Sequence, residues 1–193
     1  MRCATIAMLL LLTGPVLTAP SLPSGSIYHL NSTLLSQSDA AVGLDTYRGH
    51  PVLITMFYAS CPAACPLLID TLRAVERSVD DGARRQLRVL MISIDPERDT
   101  TAALRQLAQD RHIDLSRWTL AHADAANVRK IAATLNIQYR RLPDGQFSHS
   151  SIVSLLSPEG ELLQQSSTLS SADPAIVAAI VRVMQQSLQE QSR

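Results

Sequence analysis

Two cysteines with the spacing C-x-x-x-C, Cys61 and Cys65, stand out in a chain that has only one other cysteine, Cys3. Residues four positions apart share one face of a helix, with Cβ atoms about 5–6 Å apart. Two thiols at that separation can form a structural disulfide, act as a redox pair or hold one metal ion. The structural disulfide is the weakest of these interpretations, because closing so short a loop adds little stability.

A metal site at this pair needs further ligands, and the chain has five histidines: His29, His50, His112, His122 and His149. The first three have polar surroundings typical of the surface, and the fourth, at a strand end, suits a partly buried structural role. His149 precedes an apolar strand, in a loop that can return to the end of the sheet carrying the cysteines. Two thiolates and an imidazole suit copper. Zinc is the competitor, although a structural zinc site normally has four protein ligands.

The other dense polar string is SIDPERDT, residues 93–100. Asp95 follows an apolar run, so its carboxylate is expected at the same end of the sheet as other strand ends. Its ordinary role is to organise the turn before a helix that begins near Thr100, with Asp99 as a candidate N-cap. The alternative is a role for Asp95 beside the cysteines.

The elements that must position these side chains follow from apolar periodicity. Continuous apolar runs at 51–59 and 87–94 predict buried strands, and 118–124 predicts a short one. Helices are expected over 68–79, from Thr100, over 126–135 and from Asp173, while 137–166 reads as strand, turn, strand, turn, strand. This order predicts an α/β or α+β domain with a central mixed sheet. The cysteines then lie between a buried strand and a helix N-terminus, a position that lowers a cysteine pKa.

The composition limits the function classes. Lys+Arg and Asp+Glu both number 17, so the zero net charge gives no electrostatic case for nucleic-acid binding. Residues 1–25 have a positive start, a short apolar run and then small residues and prolines, which is typical of a secretory signal peptide. A membrane anchor is the alternative. We expect a single domain over 26–193, exported to the periplasm, in an oxidising compartment where a disulfide is a natural state of the pair.

Three motifs together, FYASCPAACP, ISIDPERDT and FSHSSIVSLLSPEGEL, resemble the SCO/SenC family of copper-binding, thioredoxin-like proteins over residues 26–188. The resemblance implies an α/β thioredoxin-like fold, with a central mixed sheet flanked by helices. It also implies that Cys61, Cys65 and His149 bind one copper ion. Two positions depart from the family pattern: Ala59-Ser60 replaces a threonine-histidine or similar pair, and Ser148 replaces an acidic residue. Neither departure removes a ligand, but both alter the surroundings that tune copper affinity.

The resemblance implies an exported copper chaperone that assists assembly of the copper centre of cytochrome c oxidase. Its partner would be the copper-receiving subunit of a respiratory oxidase or another periplasmic copper protein. The alternative is a periplasmic thiol-disulfide oxidoreductase, in which Cys61 and Cys65 are the catalytic redox pair and no metal is carried. His149 discriminates between them, because thiol exchange needs no imidazole there. Thioredoxin-type oxidoreductases normally have a proline before the equivalent strand, where this chain has SHSS.

Overall fold

The computed structural model describes residues 21–61 and 64–191. The chain forms nine strands and five α-helices in this part. The strands are β1 Thr33–Ser36, β2 Ala41–Gly43, β3 Val52–Phe57, β4 Arg88–Ser93, β5 Trp118–His122, β6 Tyr139–Arg141, β7 Phe147–His149, β8 Val153–Leu156 and β9 Leu162–Ser166. The helices are α1 Ala64–Arg77, α2 Asp81–Gln86, α3 Thr101–Asp110, α4 Ala125–Thr134 and α5 Pro174–Gln191, with 3₁₀ turns at Ile27–His29 and Leu44–Tyr47.

Seven strands form one sheet in the order β2-β1-β5-β4-β3-β8-β9. Strands β3, β4 and β5 are parallel, whereas β8 runs antiparallel to β3 and β1 antiparallel to β5. The predicted mixed sheet is therefore confirmed. Its centre is the core of the domain: every residue of β3 is buried, as expected for a continuous apolar run covered on both faces.

The first long helix follows the predicted apolar stripe. Leu68, Leu72 and Val75 are fully buried, and Val79, just beyond the helix, is nearly so. The helix ends at Arg77, before the DDG sequence that was expected to end it, and this sequence instead starts the short helix α2, whose N-cap Asp80 accepts a hydrogen bond from the Ala83 N–H. Six residues are too few for a periodic signal, so this helix was not predicted.

Two further differences concern β-structure. The polar segment before β3 contains the hairpin of β1 and β2, whose seven residues are too short to show alternation. The predicted middle strand of the 137–166 region is broken between His149 and Val153, so that β6 and β7 form a separate two-stranded sheet. The hydrogen bond from the Ile152 N–H to the Ser150 carbonyl, 3.1 Å, is a local turn at this break.

The predicted N-terminal segment, 1–25, lies outside the described residues for positions 1–20. No helix in the described ranges has the length and apolar character needed to cross a membrane.

Candidate metal centre

Three polar segments meet at one end of the large sheet because of its topology. The cysteine motif follows the carboxyl end of β3, and residues 94–100 follow the carboxyl end of the parallel strand β4. Strand β8 is antiparallel to β3 and pairs Val153 with Thr55, so the chain entering β8 from His149 arrives at this same end. The segments that carry His149 and Asp95 therefore lie at the same end of the sheet as the cysteine motif.

Cys61 and Cys65 are both buried and neither is in a disulfide. Cys61 comes before helix α1, and its N–H donates to the Tyr58 carbonyl at 3.1 Å. Cys65 is the second residue of the helix, and its Sγ donates to the same carbonyl at 3.0 Å. One backbone oxygen thus holds both cysteines together at the end of β3.

The expectation of a lowered cysteine pKa is wrong for Cys65. Burial raises the pKa of this thiol far above its usual range, and its neighbours Cys61 and Asp99 add to the effect. The hydrogen bond with the Tyr58 carbonyl opposes the rise in pKa but does not offset it. A helix N-terminus therefore does not outweigh the loss of solvent here, and Cys65 is a neutral thiol in this form.

His149 is the last residue of β7 and pairs with Tyr139 across the small sheet. Its Nδ1 lies 3.3 Å from the Ser150 carbonyl, which can only accept, so the proton is on Nδ1. Burial lowers the pKa of His149, with the Ser150 carbonyl partly opposing, so the ring is neutral at pH 7. The other nitrogen, Nε2, is buried and has no hydrogen-bond partner among the described residues.

An unpartnered buried nitrogen is costly unless a ligand or water satisfies it. The lone pair on His149 Nε2, together with two thiols at the same end of the sheet, suits a thiophilic metal that also accepts imidazole. Within the described ranges, however, no group of three His, Cys, Asp or Glu side chains is close enough to hold a metal ion. The three predicted ligands share one region without forming a closed coordination set in this conformation.

The acidic side chain that contacts the cysteine motif is Asp99, whereas Asp95 was the residue singled out from the sequence. Asp99 Oδ2 accepts hydrogen bonds from the Ala59 N–H at 2.8 Å and from the Ser93 hydroxyl at 2.5 Å. Burial raises the pKa of Asp99, and these two bonds partly offset the rise. Asp95 is also buried, but its carboxylate pairs with Arg98. The N-cap of α3 is Thr100, so Asp99 is free for this role.

Tyr58 was not recognised from the sequence, although it contacts every part of the site. Its ring lies edge-on to the His149 ring, with centroids 5.8 Å apart, and 5.4 Å from the Phe147 ring. Its hydroxyl donates to Gln146 Oε1 at 2.9 Å and also interacts with the Cys61 side chain. A tyrosine at the end of an apolar run is expected to be an ordinary core residue. Only its contacts show that it links the cysteine motif to the segment that carries His149.

The other histidines lie elsewhere. His29 and His112 are exposed, as expected, and half-buried His50 faces Arg88. His122, at the end of β5, is half-buried with an unpartnered Nε2, which fits its predicted structural setting.

Comparison with known proteins places this chain in a family. The family model described as SCO1/SenC matches residues 26–185, most of the chain. The chain belongs to the SCO1/SenC family. This SCO1/SenC protein is 30% identical over 120 residues to the mitochondrial SCO2 homolog of Bos taurus, a match that covers 59% of this chain and 44% of the relative. The chain thus spans under half the length of that relative.

Solved structures confirm the thioredoxin-like α/β fold that the sequence motifs implied. A SCO1/SenC family lipoprotein from Bacillus anthracis superposes with a TM-score of 0.71 at 18% identity, over 80% of this chain and 96% of that one. Bradyrhizobium japonicum ScoI, solved with copper bound, superposes with a TM-score of 0.65 at 23% identity, over 79% and 96% of the two chains.

Proposed function

We propose that this SCO1/SenC protein is an exported copper chaperone that assists assembly of the copper centre of a respiratory oxidase. Cys61, Cys65 and His149 hold the copper ion, and exchange of these ligands with thiols of the receiving subunit passes it on. The observation that carries the proposal is the buried Nε2 of His149, unpartnered among the described residues, at the sheet end that also carries two buried thiols that are not in a disulfide. A copper-bound relative of the same fold adds support.

The chemistry of the donors links copper loading to redox state. Thiolates are the ligands that favour Cu(I), and the imidazole makes the set acceptable to Cu(II) as well. Oxidation of Cys61 and Cys65 forms one S–S bond and releases two electrons and two protons to an external acceptor. Because both thiolates are consumed, the oxidised protein loses two of its three ligands and cannot hold the ion.

Copper titration of the reduced protein without residues 1–25 tests this function. Wild type is expected to bind one equivalent of copper. His149→Ala should lower Cu(II) affinity more than about 100-fold, because removing only a residue that hydrogen-bonds to a metal ligand already costs about 10–100-fold in metal affinity. Cu(I) affinity should fall less, because both thiolates remain. His122→Ala is the matched control: it removes another half-buried histidine with an unpartnered Nε2, and copper affinity should not change.

Two outcomes would contradict the proposal. Wild type that binds no copper, or a His149→Ala variant that binds both copper states like wild type, would favour the metal-free thiol-disulfide oxidoreductase. That alternative predicts reduction of a partner disulfide at the same rate with and without His149.

A further inference from the structure

Within the part of the chain that the structure describes, the hairpin of β6 and β7, which carries His149, has no strand pairing with the seven-stranded sheet. Its backbone hydrogen bonds are internal: the Leu142 N–H donates to the Gln146 carbonyl at 2.8 Å, and the Ser150 N–H donates to the Gln138 carbonyl at 2.8 Å. Apart from the chain connection to β8, side-chain contacts therefore fix where this hairpin, and with it the His149 ring, lies relative to the cysteines.

Tyr58 supplies the contacts between the hairpin and the cysteine motif. Its side chain is 3% exposed and packs on two hairpin rings, those of Phe147 and His149. Its single hydroxyl proton is donated to Gln146 Oε1 at 2.9 Å, while the Phe147 carbonyl is at the limit of hydrogen bonding, 3.5 Å. The same residue's carbonyl accepts from both Cys61 and Cys65.

A second group of contacts holds the tip of the hairpin from another segment. Arg98, in the loop after β4, donates to the Gly145 carbonyl, and Arg141 pairs with Glu97 at 2.8 Å. These side chains are largely exposed, and exposed ion pairs contribute little to stability. They attach the hairpin to the β4–α3 loop and do not contact the cysteines. They therefore do not determine the distance between His149 and the thiols.

We infer that Tyr58 is the positioning residue of the site, whose hydroxyl tethers the His149 hairpin to the cysteine motif through Gln146. In the metal-free protein this bond keeps the imidazole at the sheet end that carries the two thiols, so that less ordering is needed when the metal binds. The effect on copper rests on the proposed function, whereas the tether itself does not.

The test is Tyr58→Phe, which removes the hydroxyl and keeps the ring in place against Phe147 and His149. Tyr139→Phe is the matched control, because Tyr139 lies in the same hairpin and its hydroxyl has no hydrogen-bond partner among the described residues. Hydrogen–deuterium exchange of residues 139–149 in the metal-free reduced protein should be about 3- to 10-fold faster in Tyr58→Phe, the range expected for losing one neutral hydrogen bond. Exchange in Tyr139→Phe should match wild type.

Variants of Gln146, the acceptor, test whether the hydrogen bond from Tyr58 is the contact that holds the hairpin. Gln146→Ala should loosen the hairpin as much as Tyr58→Phe, and the double variant should be no worse than either, because both remove one shared bond. Gln146→Glu keeps an acceptor oxygen and should restore slow exchange. A packing role for the ring alone predicts no effect from any of these changes in the hydroxyl or its acceptor.

Copper binding provides the second readout. Tyr58→Phe should lower Cu(II) affinity about 3- to 10-fold, since the imidazole loses its support. Because this variant also removes the interaction of the hydroxyl with Cys61, Gln146→Ala, which keeps that interaction, is the sharper variant: it should weaken Cu(II) binding to a similar extent and Cu(I) binding less. Wild-type exchange rates in Tyr58→Phe would overturn the tether. A loosened hairpin with unchanged Cu(II) affinity would overturn the positioning role while His149→Ala still upholds the function. If His149→Ala bound copper like wild type, the function would fail, and exchange alone would decide the tether.

Discussion

Asp99 accepts a hydrogen bond from the cysteine motif and another from Ser93. The loss of these two bonds determines how much the removal of Asp99 should destabilise the protein. One oxygen, Oδ2, accepts from both the Ala59 N–H and the Ser93 hydroxyl. Asp99→Ala leaves both donors without a partner. Each buried unsatisfied group costs about 1–3 kcal/mol. Ser93 is fully buried and should cost near the upper end, while half-buried Ala59 should cost near the lower end.

Asp99→Ala should therefore lower the free energy of unfolding by about 3 kcal/mol at pH 7, because removing the buried charge of Asp99 offsets part of these two costs. At about 2–4 °C per kcal/mol for a domain of this size, the melting temperature should fall by about 6–12 °C. Asp99→Asn is the matched control. Its amide oxygen can occupy the position of Oδ2 and accept from both donors, so the loss should be about 1 kcal/mol or less.

Urea unfolding of the reduced, metal-free protein, followed by circular dichroism, measures these differences. The pH dependence adds a second test. Because burial raises the pKa of Asp99 above its unfolded value of 3.8, this group makes stability fall as pH rises from that value through the folded pKa. Asp99→Asn should lack this contribution. Equal stability of Asp99→Ala and Asp99→Asn would refute the role given to the two hydrogen bonds.

Three further perturbations have defined outcomes. Glu76→Ala leaves the buried Trp118 Nε1–H without its acceptor and half-buried Arg117 with Asp114 as its remaining carboxylate partner, so it should cost about 1–3 kcal/mol in urea unfolding, with Glu76→Gln costing less. Gly160→Ala, at φ +85°, places a Cβ 2.6 Å from an aromatic ring carbon and should lower the melting temperature clearly more than Gly49→Ala, at φ +83° in open space; equal losses would contradict the steric cause. Because burial lowers the pKa of His149, the folded state resists protonation, so stability should fall as pH drops below about 6.5; a His149→Gln variant that keeps the full acid-side slope would exclude this source.

The large sheet could be predicted because its central strands are continuous apolar runs that are visible in the sequence itself. Residues 51–59 and 87–94 are continuous apolar runs, and only a strand covered on both faces accommodates them. Once those strands are parallel neighbours, the cysteine motif and the 94–100 segment must emerge at one end. The shared position of the predicted site residues is thus a consequence of topology, which apolar periodicity reveals.

Side-chain partners could not be predicted in the same way. Asp95 and Asp99 have the same chemistry, are both buried and lie four residues apart, yet one pairs with Arg98 and the other contacts the Ala59 N–H. Which carboxylate faces the motif depends on the turn between β4 and α3, and sequence spacing does not specify that turn. The role of Tyr58 could not be predicted for a related reason, because it depends on the hydrogen bond of its hydroxyl to Gln146, which is distant in sequence.

The position of His149 has two independent determinants, and this limits how much any single change can do. On one side, His149 is joined by three residues to Val153, which is fixed to β3 by its pairing with Thr55 and by the bond from the Thr55 hydroxyl to the Ile152 carbonyl, 2.7 Å. On the other side lies the bond from Tyr58 to Gln146. Breaking the second leaves the first intact, so the imidazole stays near the thiols but samples more positions. Loss of the Tyr58 hydroxyl should therefore weaken Cu(II) binding only in part, whereas loss of the imidazole removes a ligand outright.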